Sequence, residues 1–303
     1  MKIVRYIHRG NESYGILKER NGILDLSGIP SLKRILALHG IGWLISLGLS
    51  AEPFLNDLMD GLSARQKETA VLKKADVILK APVIAPSKII CLGLNYRDHA
   101  EESGAVVPDE PIIFMKPRSA IVGPEEPIIK PSFVKQLDYE VELAIIIGKR
   151  GRNIAVSDAM DCIFGYAVFN DISARDIQFK DGQWTRGKSF DTFAPMGPCI
   201  TTAKQIGDPK NLRLCTMVNG ETRQNSSTRL MVFDVYEIIH RISLVMTLEP
   251  CDIIATGTPA GVAAFMKPEP RFLKPGDIVE VEIERIGTLR NPVIEEETGI
   301  QRW

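Results

Sequence analysis

The stretch that most constrains this chain runs from Asp138 to Gly148, D-Y-E-V-E-L-A-I-I-I-G. Val141, Leu143, Ile145 and Ile147 alternate with Glu140, Glu142, Ala144 and Ile146, the period-two pattern of a β-strand. Side chains two apart share a face, so Glu140 and Glu142 stand side by side, roughly 7 Å apart at the backbone. That face continues as Ala144 and Ile146, so both faces of the strand are expected to be buried. Two neighbouring carboxylates at the mouth of a buried strand repel each other and lose hydration, and a bound cation cancels both penalties. The segment alone leaves a second reading open, a solvated strand end with two exposed acids.

A second acidic strand has the opposite character. In Asp277 to Arg285, D-I-V-E-V-E-I-E-R, Glu280, Glu282 and Glu284 fill one face opposite Val279, Val281 and Ile283. That is the pattern of an antiparallel strand with one wet side, and no chemistry is assigned to it.

The 303 residues, 45% hydrophobic, suffice for one large core or a large domain with a small one. A net charge of −1 argues against nucleic acid or an anionic membrane as partner. Met1 to Ile7 is too charged and short for a leader, and the apolar run Ile41 to Leu49 is too short to span a bilayer. Cys91, Cys162, Cys199, Cys215 and Cys251 are scattered, as expected of a reducing, cytoplasmic setting. Neither they nor His8, His39, His99 and His240 have metal-ligand spacing, so any metal here should be held by oxygen.

Short strands are expected at Ile3 to Ile7, Tyr14 to Leu17 and Ile23 to Leu26, with Asn21-Gly22 as a hairpin turn. Ser31 is a candidate cap for a helix carrying Leu32, Ile35 and Leu36, and Ser63 to Leu72 is a second helical candidate. The proline-bearing stretch Lys80 to Lys88 reads as a linker. It divides a small N-terminal α+β domain, 1–80, from a larger domain, 81–303.

In the larger part, Ile89 to Gly93 is a buried strand and Leu94 to Glu102 is helical. His99 and Glu102, three apart, share a helix face. A carboxylate there fixes the imidazole tautomer and suits a general base, while an exposed helical ion pair is the plainer alternative. Asp171 lies at a strand-to-helix turn, as a helix cap or a third oxygen ligand. Asp181 to Pro198 is long for a connection without structure, and Lys188 within it is either a surface lysine or a charge for a developing enolate. Asp234 to Leu248 is an amphipathic helix. The turn T-G-T-P-A-G-V, Thr256 to Val262, is an ordinary glycine turn or one that offers N–H groups to a carboxylate.

Taken together, G-L-N-Y-R-D-H-A-E-E, D-Y-E-V-E-L-A-I-I-I-G, F-N-D-I-S-A-R-D-I-Q, W-T-R-G-K-S-F-D-T-F and T-G-T-P-A-G-V, in that order, resemble the fumarylacetoacetate hydrolase family in its catalytic domain, from about Ile89 to about Glu284. The resemblance implies a β-rich α+β fold, a mixed β-sandwich or roll with short helices, and a homodimer. It implies that Glu140, Glu142 and Asp171 are metal ligands and that His99 and Glu102 activate water from a lid helix. It makes Lys188 the active-site lysine and puts Tyr96, Arg97, Lys116, Gln178 and Thr258 at the substrate. Hard carboxylate donors favour Mg²⁺ or Mn²⁺, with Ca²⁺ as an alternative occupant. The implied activity is metal-dependent hydrolysis of a C–C bond in a β-diketo acid, an acylpyruvate or diketo-deoxy sugar acid, through an enolate. The alternative on the same residues is an oxaloacetate-type decarboxylase or a 2-hydroxyhepta-2,4-diene-1,7-dioate-type isomerase. In either case a small 2-oxo acid is the expected substrate.

Overall fold

The computed structural model describes residues 1–18 and 22–297. Val141–Ile147 is buried along its whole length, as the two apolar faces require. It runs antiparallel between Ile163–Asn170 and Ile253–Ala255, and Ile253–Ala255 pairs in parallel with Ile89–Gly93. Among the described residues, these strands belong to a 12-stranded sheet that continues through Ala194–Thr202 to the N-terminal strands Lys2–His8, Asn11–Lys18 and Gly22–Asp25. A 5-stranded sheet built on Arg213–Val218, Ile278–Ile283 and Gly287–Glu295 forms a second layer. The fold is thus α+β and rich in strands.

Each face of the central strand joins a different core. Val141, Leu143, Ile145 and Ile147 pack in one cluster with Leu214, Val281 and Ile283 of the second sheet and Ile238, Ile239 and Ile242 of helix Val235–Val245. Ala144 and Ile146 join another with Leu32, Leu36, Leu44 and Ile45 of helix Pro30–Ser46. Each buried aliphatic side chain contributes about 1.5–3 kcal/mol, which fixes the strand and its ends. Glu280 and Glu282 stay partly solvated and Glu284 is exposed, while Val279, Val281 and Ile283 are buried, so the second acidic strand has the expected wet face.

Some local expectations need correction. Helix Pro30–Ser46 begins one residue before Ser31, with extended Ile29 as its cap and no side-chain cap. Pro30 supplies the start, since its missing N–H is no loss in the first turn. Ser63 does cap a helix, in a reciprocal box with Gln66, but that helix ends at Thr69 and the chain enters strand Val71–Lys73. The stretch after Asp181 is less irregular than its composition suggests, with a helical turn at Thr185–Lys188 and a strand from Ala194. Asn21, of the expected hairpin turn, lies outside the described residues. Among the described residues, no single helix is long and apolar enough to cross a membrane.

Candidate active site

Strand pairing explains how residues thirty apart meet. Val141 is registered opposite Asn170, so Glu140, one residue before its strand, faces Asp171, one residue beyond its neighbour. The Asp171 N–H donates to the Glu140 carbonyl at 2.9 Å. The Asn170 side-chain oxygen accepts the Glu140 N–H at 3.0 Å. Oxygens of Glu140, Glu142 and Asp171 then lie within 4.8 Å of one another, and all three residues are buried. The solvated-end reading of the two glutamates does not hold.

Three cations surround these acids. The Lys188 ammonium donates to Glu140 at 2.7 Å and to Asp171 at 2.8 Å. Lys116 pairs with the other Asp171 oxygen and donates to the Ile172 carbonyl at 3.0 Å. Arg175 bonds Glu140 and reaches Asp138 at 2.9 Å. Asp138 is fully buried and is fixed by the N–H groups of Tyr139, Ala263 and Ala264. Four carboxylates therefore face three cations, so full ionisation would leave one negative charge unbalanced in a buried cluster.

Electrostatics relieve that imbalance at Glu142, which holds its proton. Burial, then the charges of Asp171 and Glu140, push its carboxyl well above the usual range. For Glu140, burial acts upward but Arg175 and Lys188 outweigh it and hold the group at about 2. For Lys188, burial acts downward but Asp171 and Glu140 prevail and raise it. One Glu142 oxygen accepts the Gly257 N–H at 2.9 Å, while Oε1 is buried without a hydrogen-bond partner. A buried, unpartnered carboxylate oxygen beside two more carboxylates, in an all-oxygen set, fits a hard divalent cation.

The glycine turn does hold carboxylates, and they are the protein's own. Gly257 serves Glu142 and Gly261 donates its N–H to Glu102 at 2.9 Å. Gly257 and Gly261 have φ of 92° and 100°, where glycine is favoured. On helix Arg97–Ser103, Glu102 also meets His99 Nδ1 at 2.8 Å, so the dyad is locked from both sides and His99 is buried. With Nδ1 engaged, Nε2 is the ring nitrogen left to exchange a proton.

His99, Glu140, Gln178, Lys188 and Thr258 line one cavity of about 240 Å³, with Arg175, Phe114, Trp184 and Phe265 also in its wall. The Gln178 oxygen is taken by Arg175 at 3.1 Å, which leaves its amide nitrogen as a donor. The Thr258 hydroxyl accepts from Gln224 at 2.8 Å. Lys116, Tyr96 and Arg97 are not in the cavity wall. Lys116 is packed against Asp171, Arg97 is exposed, and Tyr96 is fully buried with its hydroxyl unpartnered. Burial, then the Glu142 charge, raise the Tyr96 pKa well above its ordinary value.

The sequence reading overlooked Asp138, Arg175, Phe114 and Trp184. Arg175 carried a usable signal, since it follows Asp171 by four residues in a segment expected to be helical. Asp138 lies two residues before Glu140 in the same stretch. Nothing local marks Phe114, whose role depends on Lys188 reaching to 5.1 Å over its ring.

The model of the fumarylacetoacetate hydrolase C-terminal domain matches residues 88–294. The mitochondrial oxaloacetate tautomerase of Bos taurus is 50% identical over 226 residues, 74% of this chain and 72% of that protein. A 2-hydroxyhepta-2,4-diene-1,7-dioate isomerase from Mycobacterium marinum superposes with a TM-score of 0.75 at 34% identity, covering 98% of this chain and 100% of its own. A maleylpyruvate hydrolase from Sphingobium sp., solved with manganese(II) and pyruvate, gives 0.78 at 31% identity with the same coverage. Motif order, strand register and whole-chain similarity converge: this chain belongs to the fumarylacetoacetate hydrolase family.

Proposed function

We propose that this chain catalyses divalent-metal-dependent proton transfer on a small 2-oxo acid, interconverting keto and enol forms of an oxaloacetate-type substrate. The observation that carries this reading is a locked His99–Glu102 dyad and a carboxylate-held Lys188 facing one small cavity beside an acidic triad. Glu140, Glu142 and Asp171 would hold Mg²⁺ or Mn²⁺. The ion, when bound, supplies Lewis-acid charge to the carboxylate and keto group of a 2-oxo acid. With Glu142 ionised as its ligand, the ion would give the cluster a single positive charge, which a substrate carboxylate neutralises.

The protein's own groups account for the proton movement. Glu102, fixed by the Gly261 N–H, holds the ring so that His99 Nε2 takes a proton from the carbon next to the keto group. The electron pair moves onto the keto oxygen, where the Lys188 ammonium stabilises the developing charge. Water protonates that oxygen as the enol departs, and His99 returns its proton to solvent. The reverse sequence ketonises the enol.

Hydrolytic cleavage of a β-diketo acid is the second reading. It is favoured by the same dyad, which would deprotonate water instead of carbon. Decarboxylation or diene isomerisation would draw on Lys188 in the same way. We rank tautomerisation first because the oxaloacetate tautomerase relative is 50% identical and the solved hydrolase 31%. The test compares kcat/KM for enol–keto conversion of oxaloacetate, CO₂ release and acylpyruvate cleavage, with Mg²⁺ and with EDTA. The proposal expects tautomerisation to be fastest and to vanish in EDTA. Faster acylpyruvate cleavage, or full tautomerase activity in EDTA, overturns it.

A further inference from the structure

We propose that Trp184 sets the upper chain length of the 2-oxo acid this site accepts, by closing the cavity beyond Phe114. Trp184 and Lys188 are four residues apart across the helical turn Thr185–Lys188, so both side chains leave the same face. Both line the same cavity. The turn cannot retreat, because Gly187 is pressed against helix Arg175–Asp181: a Cβ there would come within 2.9 Å of the Gln178 nitrogen.

The indole has two further supports. A Cβ built on Gly93 would fall 1.9 Å from Cζ3 and 2.4 Å from Cη2 of Trp184, so the ring rests on the Gly93 backbone. Any side chain at 93 would displace it. The indole also meets Phe114 edge-on, with centroids 5.5 Å apart at 71°. The Phe114 ring in turn carries the Lys188 ammonium at 5.1 Å. An acid whose head is held beside Lys188 therefore meets an aromatic wall one ring further on, braced by a glycine, a phenylalanine and a packed helical turn.

A braced apolar wall discriminates by size, because added methylenes must displace packed atoms. The cavity, about 240 Å³, lies below the roughly 300–1,000 Å³ usual for drug-sized ligands. Each surplus methylene is expected to weaken binding by roughly 10–200-fold. The site would then take compact acids of oxaloacetate size and exclude long or aromatic acylpyruvates. This inference rests on the 2-oxo-acid reading given above.

Binding, rather than turnover, keeps the two readings separable. Calorimetry on the full chain with Mg²⁺ would compare pyruvate, 2-oxobutanoate, 2-oxohexanoate and 2-oxooctanoate in wild type, Trp184→Ala and Trp184→Phe. The readout is the ratio of the affinity for pyruvate to that for the longer acids. It should be large in wild type, fall at least about tenfold in Trp184→Ala, and fall less in Trp184→Phe. Trp184→Phe keeps a ring on Gly93 and serves alone if the alanine variant does not fold. A wild type that does not discriminate by length, or equal discrimination in wild type and variants, overturns the role of Trp184 while leaving the 2-oxo-acid site standing. No binding of any acid to wild type overturns the functional reading and this inference together.

Discussion

Replacing Glu142 with glutamine should stabilise the metal-free protein, by an amount that grows with pH. Glu142 is 1% exposed and one of its oxygens has no partner. Burial and the nearby Asp171 and Glu140 charges raise its folded-state pKa well above the ordinary carboxylate range. Above that ordinary range the unfolded chain has released this proton while the folded chain keeps it. Stability is therefore full below the unfolded pKa and is lost as pH rises toward the folded one. A single proton of difference gives a slope approaching about 1.4 kcal/mol per pH unit. Above the ordinary carboxylate range wild type should lose stability relative to Glu142→Gln, which has no proton to release there. Urea unfolding in EDTA at several pH values measures this directly. Saturating Mn²⁺ should shift the balance toward wild type, since an ion at 100 times its Kd adds about 2.7 kcal/mol to the form that binds it. Parallel pH profiles for the two proteins in EDTA would refute the raised folded-state pKa of Glu142.

Other substitutions test the remaining parts. His99→Ala should lower tautomerisation kcat/KM by roughly 10²–10⁴ while leaving Mn²⁺ binding intact, measured by steady-state kinetics and calorimetry. Lys188→Ala should depress tautomerisation and any decarboxylation together, since both pass through the same enolate; loss of only one would contradict its assigned role. Asp138→Asn removes the charge that balances Arg175 in a fully buried pair, so denaturant unfolding should show a loss of about 3–5 kcal/mol.

Much of the site was legible because its parts are local patterns. The period-two register put Glu140 and Glu142 on one face, and helical spacing put His99 beside Glu102. Local pattern did not say how distant segments meet; only the family resemblance brought them together. The Val141–Asn170 register brings Asp171 to Glu140, and it depends on a strand pairing that no local pattern encodes. For Lys188 the residues alone left a surface lysine open, because Gly187, which seats its helical turn on Arg175–Asp181, reads as a flexible residue. The pairing of Lys116 with Asp171 and the Ile172 carbonyl likewise joins segments more than fifty residues apart. The continuation of one sheet from Ala194–Thr202 into Lys2–His8 was equally hidden, because the pairing of Lys2 with Thr201 spans almost two hundred residues.

The central claim is that one divalent ion sits among Glu140, Glu142 and Asp171 and presents a 2-oxo acid to Lys188 and His99. The most direct measurement is a crystal soaked in Mn²⁺ and oxalate, with anomalous diffraction at the manganese edge. The account predicts one strong anomalous peak per chain, bonded to oxygens of all three carboxylates, with oxalate between it and the His99 side of the cavity. A peak elsewhere, or none with Lys188 still bridging Glu140 and Asp171, would contradict it.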